Sequence, residues 1–372
     1  MTQTATDYLN PSSQAWQIFK KNRMAVVGLV LFLLFAIIAL FGVWATSSTS
    51  PLCDPTTVRL TEKLRPPLTP ANTEILTESE LPPFGIYLMG TDDLGRDIFS
   101  RMLQGAWVSL TVGFVAVGIA VLIGICFGGI AGYFGHKQIS LGYFLSAICG
   151  IMTFLIFFTP IWGMSVFLAV VLCILLWQQH KPSFRALRFL QKPFLSIDVI
   201  MMRFVDIMMC FPSFFLILTV VALLPASIYN IMIVIGLTSW MGTTRFVRAE
   251  FLSLREQDFV LAARALGVTH AKIIFRYMMP NAIAPVLVST TIGIATAILT
   301  EAGLSFLGFG VPPPHATWGN ILADGKRFIF DAPWITFIPG IAILLVVLSF
   351  NLFGEGLRDA TNPRLRRKSD SK

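Results

Sequence analysis

"LAARALGVTHAKIIFRYMMPNAIAP", residues 261–285, brings Arg264, Lys272 and Arg276 together in an otherwise apolar chain, with a lone Gly267 and Pro280 as punctuation. Just upstream and into it, Phe259, Ala262, Ala263 and Leu266 recur at three- and four-residue spacing, the stripe of one helical face. Gly267 suits the left-handed position that ends a helix. Thr269 suits the N-cap of a second helix running through Tyr277 and Met278, and Pro280 limits that helix before the next apolar run. The expected shape is two short helices meeting at an angle, with small Ala side chains exposed at the elbow. A basic amphipathic stretch of this kind also suits a membrane surface, and the residues alone leave both readings open.

The surroundings of that stretch define the fold class. The 372 residues are 55% hydrophobic and only 13% charged, with a mean hydropathy of +0.74. Soluble domains carry about 25% charged residues, so an all-α polytopic membrane protein is expected. Apolar runs long enough to cross a bilayer, or nearly so, occupy 24–45, 107–133, 140–158, 161–177, 199–224, 228–244, 282–309 and 334–354. The third and fourth are short and joined by Thr159-Pro160, which reads as a tight hairpin. About twenty polar residues precede the first run with no small-x-small cleavage site after it, so that run is expected to be a retained signal-anchor.

Charge placement orients these spans. With the N-terminus inside, twenty of the 28 Lys and Arg fall in inside segments, seven fall outside, and Arg203 lies within a span. That bias places both termini and the 255–281 loop in the cytoplasm. The net charge of +8 is therefore a topology signal, and nucleic acid is not an expected partner. The outside segment 46–106 is Pro-, Thr- and Glu-rich and is expected to form an irregular cap without a core of its own.

Several polar constellations lie within or beside the spans. Arg203 and Asp206 stand three apart in the fifth run, and a charge at membrane depth is either paired or functional. A mutual ion pair at the cytoplasmic interface is the simpler reading. Pro212 is expected to kink that helix. Glu301 falls in the seventh run and needs a partner or water; with Phe211 and Pro212 it is a candidate for lining a path. The cluster "GTDDLGRD" (90–97) bunches carboxylates about a turn but lacks the spacing of a calcium loop. There, Asp92 or Asp93 is expected to cap a turn, while Arg96 and Asp97 form local pairs. Cys53, Cys126, Cys149, Cys173 and Cys210 contain no C-x-x-C, so no zinc site or disulfide frame is indicated. The sequence has no G-x-x-x-x-G-K-[ST], H-E-x-x-H or G-x-S-x-G, and its four histidines are scattered. It is read as binding no cofactor or metal of its own and as carrying no catalytic residues.

Ala262-Ala263, Gly267 and Pro280 resemble the "EAA" coupling loop of permease subunits in binding-protein-dependent ABC importers. The loop departs from that pattern where Leu261 replaces its leading Glu and where Tyr277 and Met279 replace the usual Ile and Leu. "FKKNRMAVVGL" (19–29), "LMGTDDLGRDIFSRMLQGAWVSL" (88–110), "AGYFG" (131–135), "RFVDIMMCFPSFF" (203–215), "EAGLSFLGFGVPPPHATWG" (301–319) and "FNLFGEGLRDATNPRLR" (350–366) are similar, in order, to the C-type permease of dipeptide and oligopeptide importers. About sixty residues intervene here between Gly135 and Val199, where that family is short.

The resemblance implies a type I importer transmembrane domain of about six core spans plus an inserted hairpin, about eight in all. Its expected parts are a cytoplasmic tail (1–23), a first span (24–45), the outer segment (46–106), a permease domain (107–355) and a C-terminal tail (356–372). Within the permease domain lie the insertion (139–198) and the coupling loop (255–281). The resemblance further implies a second permease chain, two ATPase subunits that hold ATP and Mg, an extracytoplasmic binding protein and a peptide substrate. The expected setting is the bilayer of a bacterial inner membrane. Ala262, Ala263, Arg264, Gly267 and Pro280 would form the ATPase-coupling elbow. The competing reading is an ion-coupled secondary transporter in which Glu301 and Asp206 bind protons or ions.

Overall fold

The computed structural model describes residues 11–48, 51–77, 80–157, 168–169, 171–172 and 192–361. The second arm of the expected hairpin (161–177) and the basic loop 180–192 fall almost wholly outside these. The helices are α1 (Pro11–Lys21), α2 (Arg23–Thr46), α3 (Ile98–Phe134), α4 (Leu141–Phe157), α5 (Ile197–Met209) and α6 (Ser213–Leu223). They continue with α7 (Ile228–Arg255), α8 (Asp258–Ala265), α9 (His270–Phe306), α10 (Trp318–Gly325) and α11 (Trp334–Thr361). Two short antiparallel ladders, β1 (Thr69–Pro70) with β2 (Ile86–Tyr87) and β3 (Gln138–Ser140) with β4 (Pro193–Ser196), add to an otherwise helical fold.

Among the described residues, α2, α3, α9 and α11 are long and apolar enough to cross a membrane, and α5 with α6 forms a fifth candidate bent by 73°. The bend expected at Pro212 in the 199–224 run is present and is larger than a kink: the helix breaks at 210–212. Pro212 supplies the extended backbone at the start of α6 (ψ 112°), and as Pro it cannot donate the hydrogen bond that would continue α5.

A seam of glycines joins α3 to α7. Gly124, Gly128 and Gly132 recur every four residues and lie against Thr243, Thr244, Val247, Arg248 and Phe251. A Cβ at Gly128 would stand 2.5 Å from the Thr244 carbonyl oxygen and 2.8 Å from Val247 Cβ. From the other side, a Cβ at Gly236 of α7 would stand 2.8 Å from the Ala116 carbonyl oxygen of α3. Small residues at this period let two apolar helices pack backbone to backbone, which stabilises association where water supplies no hydrophobic drive. Val112, Ala116, Ile235, Ile298, Val346 and Phe350 fill the core between this pair, α9 and α11.

The first and last described helices meet at one end of the bundle. Residues 11–21, expected as a tail, form α1, and Phe19 packs edge-on to Phe353 of α11 at 5.9 Å. Asn22 caps α2, accepting from Met24 N at 3.1 Å and Ala25 N at 3.2 Å, and its amide donates to Asp359 at 3.3 Å.

At the opposite end, α3 starts at Ile98, well before the expected 107, because Asp97 is an N-cap and makes no local ion pair. Its carboxylate accepts from Phe99 N at 3.3 Å, Ser100 N at 3.0 Å and Ser100 Oγ at 2.6 Å. Asp92 caps the preceding turn, accepting from Leu94 N and Arg96 N at 2.9 Å each. Its second oxygen takes Arg96 at 2.7 Å and Arg101 at 2.6 Å, so donors engage both oxygens. The cap segment is thus held by buried polar pairs. The segment after α9 also folds: Trp318 of α10 is buried, donates Nε1–H to Met102 O at 3.2 Å and lies edge-on to Phe35 at 5.7 Å.

The candidate coupling site

The basic elbow is built on the last turns of α7. Gln257 takes extended backbone (ψ 145°) after that helix ends, and α8 turns away from it. Gly267 adopts φ +72°, as its position at the helix end requires. Val268 N then reaches back to Ala263 O at 3.1 Å and Gly267 N to Arg264 O at 3.0 Å, the paired bonds of a Schellman motif that satisfy the terminal carbonyls of α8.

Three expectations for this stretch are corrected by the packing. Ala263 does not face outward: it is buried with Val260, Ile273 and Met278 against Phe251, while Ala262 and Ala265 are exposed. The reason is register, since Val260 and Ala263, three apart, define the inward stripe, and Phe259, Ala262 and Leu266 lie outside it. Thr269 takes the N-cap backbone but makes no side-chain cap bond. Nor is the second arm a separate helix ending at Pro280. Residues Ile273–Met278 form a π-helical segment, and α9 runs unbroken from His270 to Phe306. Pro280 lacks an N–H, and the widened turn just before it lets the helix pass that residue without a break. Pro280 is exposed and lines a cavity of about 620 Å³ between α7, α9 and α11 with Glu250, Asn281 and Arg358.

The elbow is pinned to α3 through Tyr133. Its hydroxyl is 2.7 Å from His270 Nδ1, and the Arg264 guanidinium stacks 4.8 Å above its ring. Arg255, at the end of α7, donates to Gly132 O at 3.3 Å, to His136 Nε2 at 2.6 Å and to Glu256 at 2.9 Å. A guanidinium only donates, so His136 Nε2 is the unprotonated nitrogen. Over this buried frame the elbow presents apolar surface outward: Leu266 is 83% exposed and Phe275 70%, flanked by Phe259 and Leu261.

The remaining candidates lie elsewhere. Asp206 pairs with Arg203 at 3.6 Å, as expected, but its shorter contact is with Arg245 of α7 at 2.6 Å. Phe211 and Pro212 sit exposed at the α5–α6 break. Glu301 is brought to neither of them. It is 1% exposed, five residues before the end of α9, and its Oε1 accepts from Ser305 Oγ at 2.7 Å. Its Oε2 is buried with no hydrogen-bond partner among the described residues, and the side chain is not exposed on the surface of this chain. Tyr133, His270 and Arg245 escaped sequence reading because their partners are distant in the chain. The glycine seam carried a legible signal in its four-residue repeat.

Residues 189–367 match the family described as the binding-protein-dependent transport system inner membrane component, and 10–67 match the N-terminal TM domain of oligopeptide transport permease C. The dipeptide transport system permease protein DppC of Alkalihalophilus pseudofirmus is 34% identical over 96% of this chain and 91% of its own length. This chain belongs to the family of binding-protein-dependent transport permeases. The oligopeptide transport system permease protein OppC of Bacillus subtilis is 30% identical to this permease over 94% of the chain and 88% of its own length. Among solved structures, the inward-facing MetNI methionine ABC transporter covers 70% of the permease and 96% of its own chain, at a TM-score of 0.44 and 14% identity.

Proposed function

We propose that this permease is one transmembrane half of an ATP-driven importer that moves di- or oligopeptides across a bacterial inner membrane. Its core would be six spans, α2, α3, the bent α5–α6 pair, α7, α9 and α11, with both termini and the elbow on the cytoplasmic side. α4 would be the first arm of an added hairpin, and among the described residues its main contacts with named elements are with the β3–β4 ladder. A second permease chain, two ATPase subunits holding ATP and Mg, and an extracytoplasmic binding protein complete the assembly in this reading. The permease itself contributes shape and coupling and no bond-breaking group.

The observation that carries the proposal is the elbow: exposed Leu266 and Phe275 on a rigid buried frame, joined without a break to a membrane-length helix. Exposed large apolar side chains on a solvent-side loop mark an interaction surface. The ion-coupled reading loses support because Asp206 already pairs with Arg245.

The test is uptake by the assembled transporter in proteoliposomes, with ATP and a proton gradient supplied separately. Leu266→Glu is expected to abolish ATP-driven uptake while the protein still inserts and assembles its membrane fold, since Leu266 is 83% exposed. Normal uptake in that variant would remove the coupling role of the elbow. Wild-type uptake driven by the gradient alone would overturn the ATP-driven reading.

A further inference from the structure

Two cavities adjoin at the elbow end of α3, and they differ in chemistry. One, of about 460 Å³, is rimmed by Lys137, Arg255, Arg264 and His270, with Glu256 as its acid. The other, of about 650 Å³, is apolar and lined by Ile139, Tyr143 and Ile197. Phe134 and Lys137 belong to both, so the basic hollow opens directly onto the apolar groove. Glu256 is occupied by Arg255 at 2.9 Å, whereas among the described residues Lys137 and Arg264 have no carboxylate partner. The hollow therefore carries uncompensated positive charge.

We propose that this pair of cavities binds an anionic phospholipid, its phosphate against Lys137 and Arg264 and an acyl chain along Ile139, Tyr143 and Ile197. Depth and shape favour a lipid over a soluble anion. The groove lies where the apolar helix α4 begins at Leu141, directly after β3, which puts the Lys137 ammonium at the level where a bilayer changes from hydrocarbon to headgroup. Tyr143 and Phe194 stand half-exposed beside it, the placement of interfacial aromatic residues. Basic pockets between helices at this level suit phosphate headgroups, and the adjoining apolar slot gives the chain a place that a free phosphate does not need. The walls are held by backbone: Ile197 N donates to Lys137 O at 3.1 Å, Leu141 N to Lys192 O at 3.2 Å, and Lys137 N to Phe134 O at 2.8 Å. The groove thus exists because the 139–198 stretch returns to α3 as the β3–β4 ladder. The inference is independent of which solute the permease carries.

The probe is phosphatidylglycerol bearing a photoreactive acyl chain, added as a minor component to phosphatidylcholine nanodiscs that hold the assembled transporter. Label is expected on peptides covering 134–143 and 192–197. Lys137→Gln is expected to reduce it about fivefold, the effect of one basic residue at an anionic headgroup. Ile139→Asp should reduce it as well, while Ile139→Leu, which keeps the groove apolar, should retain it. Equal labelling by a phosphatidylcholine probe, or labelling unchanged in both Lys137→Gln and Ile139→Asp, would overturn the proposal. So would label present on the permease alone but lost once its partner subunits bind, which would make the hollow a protein interface. Protection by inorganic phosphate with no effect of Ile139→Asp would assign it to a soluble phosphate instead.

Discussion

Arg101 holds Asp92 at 2.6 Å with both side chains shut away from water, and the same guanidinium reaches Asp324 at 3.0 Å. One buried cation thus ties the first turn of α3 to the turn before it and to α10. Asp92→Ala leaves the buried Arg101 with only the partly exposed Asp324 as counter-charge, and is expected to cost up to about 3 kcal/mol. The exposed Arg358–Glu355 pair, at 3.9 Å, is the control, and Glu355→Ala should change stability by less than about 1 kcal/mol. Thermal unfolding of the detergent-solubilised chain separates the two. Equal shifts would show that the Asp92–Arg101 pair is not what holds the cap.

The glycine seam makes a second prediction by position. Gly128→Leu pushes side-chain atoms into the Thr244 carbonyl and Val247, and overpacking of this kind costs about 1–3 kcal/mol or more. Gly118 lies on the same helix with open space around its Cβ, so Gly118→Leu should be close to neutral. Comparing the yields of folded protein for the two variants checks this.

At Gly267 nothing stands within 4 Å of an added Cβ, so only the backbone resists substitution. Gly267→Ala is expected to lose about 1–2 kcal/mol of local stability, and Gly267→Val more, whereas Gly267→Asn should be tolerated best. Hydrogen exchange across 258–270 reads the effect directly. An alanine variant as well protected as wild type would show that the left-handed turn is not under strain.

Ala262 and Ala263 should respond in opposite ways to the same change. Ala263→Glu buries a charge among Val260, Ile273 and Met278 and should prevent the elbow from folding. Ala262→Glu, on the exposed face, should leave folding intact and act only on the docking of a partner. Protease sensitivity of the 258–270 segment distinguishes them, and matching sensitivity would contradict the register assigned to α8.

The cap also predicts a pH dependence. Burial pushes the Asp97 carboxyl up, outweighing the hydrogen bonds from Ser100 and Phe99 that favour its charged form. Burial, then the negative charges of Asp92 and Asp324, push Asp93 the same way. Asp54 runs opposite, since hydrogen bonds from Thr57 and Thr56 lower it despite partial burial. A carboxyl raised in the fold contributes stability that is fully present below its unfolded value of about 3.9 and is lost as pH rises through the folded value. The cleanest readout is therefore the difference in unfolding midpoint between wild type and Asp97→Asn, which keeps the cap acceptor and removes the titration. That difference should move against wild type as pH rises from about 4, and a flat difference would contradict the shift at Asp97.

How much of this was legible follows from the range of each interaction. Gly267 announced the turn it makes, because helix termination is local. Pro212 likewise announced the break between α5 and α6. Arg245 gave no sign of pairing with Asp206, 39 positions away, because a tertiary ion pair leaves no periodic trace. The spacing of Phe259, Ala262 and Leu266 puts Ala263 on the outward face, whereas Val260, one turn before it, sets the inward stripe. Glu301 reads as a path residue because an acid in an apolar run looks functional, while its Ser305 contact and enclosure depend on tertiary packing that leaves no mark in the sequence.

The unbroken course of α9 has a mechanical consequence. Its 37 residues extend about 55 Å, through a π-helical segment at Ile273–Met278 and past Pro285, with the elbow at one end and Ser305 near the other. α9 meets α3 where Ile294 and Ile298 pack on Gly113. If the helix rocks about that crossing, the arm on the elbow side measures about 39 Å and the arm beyond it about 15 Å. A sideways stroke applied at the elbow would then emerge at the far end reversed in direction, smaller in travel and larger in force, the gearing of a long-handled lever.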